Sequence, residues 1–183
     1  KRSLKIYYVP QITADGTVAG FYALIEDLSV QKSAEAAVRA SEARFRTMAD
    51  QAPVLIWIAD SEGRYTWFNR PWTEFTGRPM ELDLGIGWMD GVHADDRERI
   101  ATQDARASTT REAFVWEYRL RRYDGEYRWL LDHGVPLLDD QGRFSGFIGS
   151  CIDITERRQM EESLREADPR KDEVLATLAH ELR

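Results

Sequence analysis

The 183 residues carry 32 Asp+Glu against 25 Lys+Arg, a formal charge of −7, and are 43% hydrophobic. That is composition enough for a sizeable core, and its negative sign repels phosphate backbones and anionic lipid heads, so nucleic acid is excluded as an expected partner. The longest apolar run, around Pro53 to Ala59, is strand-sized, well below the ~18 residues of a membrane helix. The chain opens at Lys1 without a leader pattern and reads as an internal fragment. Its single cysteine, Cys151, fits a reducing cytoplasm and reads as a small apolar strand residue.

In chain order, the first predicted element is a strand at Ile6-Tyr7-Tyr8-Val9. Gly16 to Ser29 then matches Gly142 to Thr155 without a gap, at a constant offset of 126 positions. Gly16 falls on Gly142, Gly20 on Gly146, Phe21 on Phe147 and Asp27 on Asp153. Each copy is a turn, a strand ending in Asp, aliphatic, Ser or Thr, and the start of a charged helix rich in Ala and Glu. Two domains of one kind are therefore expected in tandem. Residues 1–30 would be the end of the first, 31–43 a linker helix and 44–155 the complete second domain.

Within 44–155, Val54 to Ala59 and Tyr65 to Phe68 are short and rich in β-branched and aromatic residues, and the turn Asp60-Ser61-Glu62-Gly63 makes them a hairpin. The strand pattern disappears from Pro71 to Ser108, where Asp95 with Glu98 predicts a capping box opening a helix. Phe114, Trp116, Tyr118 and Leu120 then alternate with mostly charged residues. Asp124-Gly125 turns the chain into a strand with an expected apolar face of Trp129, Leu131, His133 and Val135. The last strand ends near Asp153. Beyond it, Met160, Leu164, Ala167, Lys171, Val174 and Leu178 keep a four-three spacing, the seam of a parallel coiled coil and hence of a dimer, interrupted at Asp168-Pro169. Val174, Leu175, Leu178 and Leu182 form one helical stripe, with His180 on the far side.

Glu117 to Trp129, with its turn at Asp124-Gly125, is similar to the paired-strand motif of Per-Arnt-Sim (PAS) domains; His93-Ala94-Asp95-Asp96 resembles that family's His-Pro-Asp-Asp helix start, with Ala94 in place of proline. Asp153-Ile154-Thr155-Glu156 resembles its closing Asp-aliphatic-Thr-Glu motif, and Asp27-Leu28-Ser29 is a looser copy. The implied fold is α+β: a five-stranded antiparallel sheet with helices between strands 2 and 3, followed by a C-terminal signalling helix over 156–168. Lys171 to Arg183, with its Lys-Asp-Glu, Leu-Ala-Thr-Leu and His-Glu-Leu-Arg blocks in order, resembles the start of the phosphoacceptor helix of sensor histidine kinases, assigned to 169–183.

That resemblance implies that His180 accepts the γ-phosphoryl group of ATP and passes it to an aspartate of a response-regulator receiver domain, while Glu181 orients or activates the imidazole. It implies ATP and Mg in a kinase domain of the same parent chain, whose glycine-rich motifs do not occur in these residues, and a homodimer in the cytoplasm of a parent that could be membrane-anchored upstream. The competing reading is a PAS ligand-binding or protein-association module of a non-kinase signalling protein. The six tryptophans, all between Trp57 and Trp129, read as aromatic core, with a small-molecule ligand left open. Haem ligation would draw on His93 or His133. A flavin photoreceptor of this family carries its cysteine in the helical region, whereas Cys151 lies in the last strand.

Overall fold

The computed structural model describes residues 3–14 and 16–166. The chain divides into two units, Lys1–Met48 and Ala49–Arg183. The first contains an antiparallel hairpin, β1 (Leu4–Ile12) and β2 (Val18–Asp27), and most of helix α1 (Ser29–Gln51). Both hairpin faces are apolar: Ile6 pairs with Ile25 and Tyr8 with Ala23 on one, Tyr7 with Leu24 and Val9 with Tyr22 on the other. All of these side chains are exposed, Phe21 at 67% and Leu24 at 62%.

The second unit contains a five-stranded antiparallel sheet with helices inserted between its second and third strands. Strands β3 (Leu55–Asp60), β4 (Tyr65–Phe68), β5 (Phe114–Arg121), β6 (Tyr127–Leu138) and β7 (Phe144–Asp153) lie in the order β4-β3-β7-β6-β5. Between β4 and β5 come α2 (Arg70–Thr76), α3 (Met80–Asp83), a 3-10 turn (Gly87–Gly91) and α4 (Ala94–Thr110); α5 (Thr155–Glu166) follows β7. This is the predicted α+β order. The β3–β4 hairpin closes where expected: the Asp60 carboxylate accepts from the N–H groups of Glu62 and Arg64, at 2.9 and 3.0 Å.

Asn69, fully buried, fixes the entry to the helices. Its Oδ1 accepts from Ile56 N (2.9 Å) and Trp72 N (3.3 Å), capping α2, while Nδ2 donates to the carbonyls of Ala49 and Val54. The start of α4 differs from the sequence expectation. The helix begins at Ala94, one residue before Asp95, and the N-cap is His93, whose Nδ1 accepts from Asp95 N at 3.3 Å. Asp96 is drawn inward instead, accepting from Arg119 N and Nε at 3.0 and 2.9 Å.

The face of β6 is also corrected. Its buried residues are Leu130, Asp132 and Gly134; Trp129 and Leu131 are half-buried, and His133 and Val135 are exposed. The reason lies in the register: Trp116 pairs with Asp132 and Tyr118 with Leu130, and residues directly opposite one another share a face. The inward Trp116, Tyr118 and Leu120 of β5 therefore force the even-numbered residues of β6 inward. Gly134 sits there because a Cβ would lie 2.2 Å from the Phe114 ring. Trp57, Trp72, Trp88, Tyr118, Ile100, Leu120 and Leu130 form the centre of the core, each at most 1% exposed.

Candidate functional site

Two places in the second unit combine chemistry with position: the polar centre of the core and the seat of α5. In the core, Asp132 is 1% exposed, although an acid stands there. Three strands converge on it. From β3, Trp57 Nε1 donates to Oδ1 at 2.9 Å; from β5, the Tyr118 hydroxyl donates to Oδ2 at 3.4 Å. From β7, Cys151 is its direct cross-strand partner, and the Cys151 thiol lies 3.8 Å from the Tyr118 hydroxyl. Burial raises the Asp132 carboxyl to about 7 against the lowering effect of the Trp57, Cys151 and Tyr118 bonds. The same burial, with Asp132 nearby, pushes the Cys151 thiol well above its usual range.

A second acid stands beside it. Asp104 on α4 accepts from the Tyr65 hydroxyl at 3.4 Å, and burial raises it to about 6 despite that bond. Tyr65 in turn packs against Trp57 and Trp88, with ring centroids 4.8 and 4.9 Å away. A cavity of about 10 Å³ lies among Trp57, Tyr65, Asp104 and Phe114, room for a single water molecule. Ligand pockets run to roughly 300 Å³ or more, so this interior is occupied by its own side chains. Neither histidine weighed as a haem ligand faces it: His93 caps α4 and His133 is exposed on the outer face of β6. Cys151 is buried in its strand. Among the described residues no group of three His, Cys, Asp or Glu side chains could hold a metal ion.

The seat of α5 is built by Asp153, Ile154 and Thr155. The Thr155 hydroxyl accepts from Trp129 N at 2.8 Å, Ile154 N donates to Trp129 O at 2.8 Å, and Thr155 N donates to Asp153 Oδ1 at 2.9 Å. Arg128 Nε completes the joint on Asp153 Oδ2 at 2.8 Å. Burial would raise the Asp153 carboxyl, but the Thr155 and Arg128 bonds outweigh it and hold it below the usual range. One turn into the helix, Arg158 pairs with Glu117 and lays its guanidinium over the Trp129 ring, 4.0 Å from the centroid. Thus α5 is fastened to β5, β6 and β7 together.

The repeat read from sequence recurs bond for bond at the same offset. Ser3 N donates to the Ser29 hydroxyl (2.8 Å), Leu28 N to Ser3 O (2.8 Å), Ser29 N to Asp27 Oδ1 (2.9 Å) and Lys32 N to Leu28 O (3.0 Å). The turns correspond too, with Gly16 N on Thr13 O at 2.9 Å and Gly142 N on Asp139 O at 2.8 Å.

The predicted phosphoacceptor His180 and its neighbour Glu181 lie outside the described residues, as do Asp168-Pro169 and the seam positions from Ala167 onward. Met160 and Leu164 are described; they lie on α5, 65% and 71% exposed. Sequence reasoning missed Asp132 as a site. The available signal was the register: an inward β5 face of even numbers, closed by a turn at Asp124-Gly125, puts residue 132 inside.

Residues 65–151 match the family model described as the PAS fold. Among curated relatives, protein y4lL of Sinorhizobium fredii is 40% identical over 148 residues, 81% of this chain and 18% of that protein. The peroxide stress-activated histidine kinase mak1 of Schizosaccharomyces pombe is 26% identical over 197 aligned positions, covering 96% of this chain and 12% of the kinase. The chain therefore spans less than a fifth of the length of these relatives. Among solved structures, the sensory box histidine kinase/response regulator from Burkholderia thailandensis shares the fold, with a TM-score of 0.51 at 24% identity over 73% of this chain and 98% of that one.

Proposed function

This chain carries a PAS domain, and on that footing we propose that it is the sensory and signal-transmitting region of a two-component sensor histidine kinase. The observation that carries the reading is the ordered sequence block Lys171 to Arg183, whose spacing predicts a helical stripe of Val174, Leu175, Leu178 and Leu182 with His180 off it, downstream of a PAS sheet and its exit helix. The match to mak1 supports it, because an alignment over 96% of this chain extends well beyond residues 65–151.

In this reading a neutral imidazole nitrogen of His180 attacks the γ-phosphorus of ATP; ADP leaves, and the phosphoryl group later passes to an aspartate of a receiver domain. Glu181 accepts a hydrogen bond from the other ring nitrogen and raises the basicity of the attacking one. ATP and Mg belong to a kinase domain elsewhere in the parent, which places this segment in the cytoplasm. Two copies pair along Met160, Leu164 and the seam beyond, and the state of the sheet reaches that pair through Asp153, Thr155 and Arg158. Residues 1–30 are the last two strands of a preceding PAS sheet, which accounts for a hairpin apolar on both faces.

The test joins the parent's ATP-binding domain to this chain and incubates it with labelled ATP. Acid-labile, alkali-stable phosphate that is lost in His180→Ala and retained in His133→Ala is the expected result. Label that persists in His180→Ala sinks the kinase reading and leaves a PAS association module.

A further inference from the structure

Among the buried acids of the second unit, Asp132 differs from the others in what faces it. Asp83 has Arg78 Nε at 3.0 Å, and Asp96 has Arg119 Nε at 2.9 Å. Asp132, equally buried, has an indole N–H and a phenol and makes no ion pair with a described residue. A carboxylate taken out of water without a cation is strongly disfavoured, so such a group is neutralised by a proton. The hydrogen bonds from Trp57, Tyr118 and Cys151 favour the charged form, but burial outweighs them and no neighbour supplies a cation. Trp57 on β3, Tyr118 on β5 and Cys151 on β7 bring no positive charge, and Asp104 on α4, itself bonded to Tyr65 of β4, adds a like charge. An asparagine would accept the same Trp57 bond without any titration. An acid at this point therefore has a capacity that the packing does not require.

We propose that Asp132 is a proton-binding switch: it takes up and releases a proton within the folded domain, and its charge sets how firmly β6 and β7 hold the start of α5. The ligand sensed is the proton, delivered from and returned to water, with one O–H bond formed or broken on the carboxyl. The coupling is short. Asp132 stands three residues from Trp129 on β6, and its partner Cys151 stands two residues before Asp153 on β7. Trp129 and Asp153 make the bonds that seat Ile154 and Thr155. With Asp132 neutral, β3, β5 and β7 close around it. With Asp132 charged, the uncompensated carboxylate draws water toward the core and loosens the strand pair that carries the seat.

The sign follows from linkage. A carboxyl raised to about 7 in the fold against an ordinary 3.8 binds its proton more tightly when folded. The stability it contributes is therefore lost progressively as pH rises from about 4 to 7 and is constant above. The inference goes beyond the kinase reading and needs no phosphoryl transfer, so either can fail without the other.

The experiment uses the whole 183-residue chain. The side-chain carboxyl carbon of Asp132 is followed by NMR from pH 4 to 9, and amide protection factors of Ile154 and Arg158 are measured at pH 6 and pH 8. The expected result is a carboxyl midpoint within a unit of neutrality and a fall of about tenfold in protection between the two pH values, absent in Asp132→Asn. Asp104→Asn should lower the midpoint and keep the transition. A midpoint below 5 overturns the proposal in the unmodified chain, whether or not Asp132→Asn folds. So does a protection change that survives Asp132→Asn or disappears with Asp104→Asn alone.

Discussion

The two copies of the strand-to-helix joint, at Ser3, Asp27 and Ser29 and at Trp129, Asp153 and Thr155, have the same four hydrogen bonds and opposite surroundings. In the second copy the joint lies beneath a filled core, with Ile154 5% and Thr155 6% exposed. In the first, the strands above it are bare on both faces. The Asp-aliphatic-hydroxyl sequence is therefore sufficient for the local joint, since Asp and Ser or Thr side chains satisfy the free N–H groups at a helix start. It is not sufficient for burial, which depends on strands that lie far away in the chain.

Paired substitutions at equivalent depth put numbers on that contrast, read by native-state amide exchange, which resolves both copies. The largest difference belongs to the core: Trp57→Ala should destabilise the second unit by about 3–5 kcal/mol, while Phe21→Ala on the bare hairpin should change its local stability by less than about 0.5 kcal/mol. Equal losses would mean that the first copy is covered in solution. Next come two glycines at the same place in the repeat. Gly146 has φ +145° and a Cβ there would lie 2.0 Å from Ala59 O, whereas at Gly20 it would meet only Gln11 Oε1 at 3.8 Å. Gly146→Ala should cost about 2–3 kcal/mol and Gly20→Ala nothing measurable.

Smaller still is the joint itself. Thr155→Ala strands the Trp129 N–H in a part-buried position and should cost about 1–2 kcal/mol; Ser29→Ala exposes Ser3 N to water and should cost about 0.5 kcal/mol or less. The smallest difference is a pH effect. The Asp153 carboxyl is held below its ordinary value, so its stabilisation is present above pH 3.8 and is lost as pH falls through the lower folded value. Asp153→Asn should therefore weaken the second unit at pH 7 by about 1 kcal/mol and have a much smaller effect at pH 3. Asp27→Asn, on the exposed joint, should leave global unfolding unchanged at both.

Element order, the Asp60 and Asp124 turns and the repeat were legible because each is written in neighbouring residues: Asp and Gly at turns, aromatic and β-branched runs in strands. The inner face of β6 was not, because apolar side chains counted along one strand favour Trp129, Leu131 and Val135. Facing is decided across strands, by Trp116 opposite Asp132 and Tyr118 opposite Leu130. The inward residues of β6 read Leu, Asp, Gly, a sequence that looks exposed, because Phe114 needs the space over Gly134 and Trp57 needs an acceptor at Asp132. The helix start at His93 was legible in His93-Ala94-Asp95-Asp96, whereas the cap read at Asp95 with Glu98 lies two residues too late: His93 is the N-cap, and the Asp95 carboxylate meets Arg119 at 3.3 Å. The Asp132 site is thus a product of register, and a single strand read alone conceals it.

The equivalence of the two joints bears on how such a chain grows or shrinks. Each joint is closed by bonds within its own hairpin, so cutting after Leu28 and rejoining at Thr155 would leave every bond of the joint in place with Thr155 in the role of Ser29. Met160 and Leu164 would then follow the first hairpin at the positions of Ala34 and Val38, preserving the rotational phase of the outgoing helix. A whole sensor could in this way be lost or duplicated by recombination without changing the angle at which the next segment is driven.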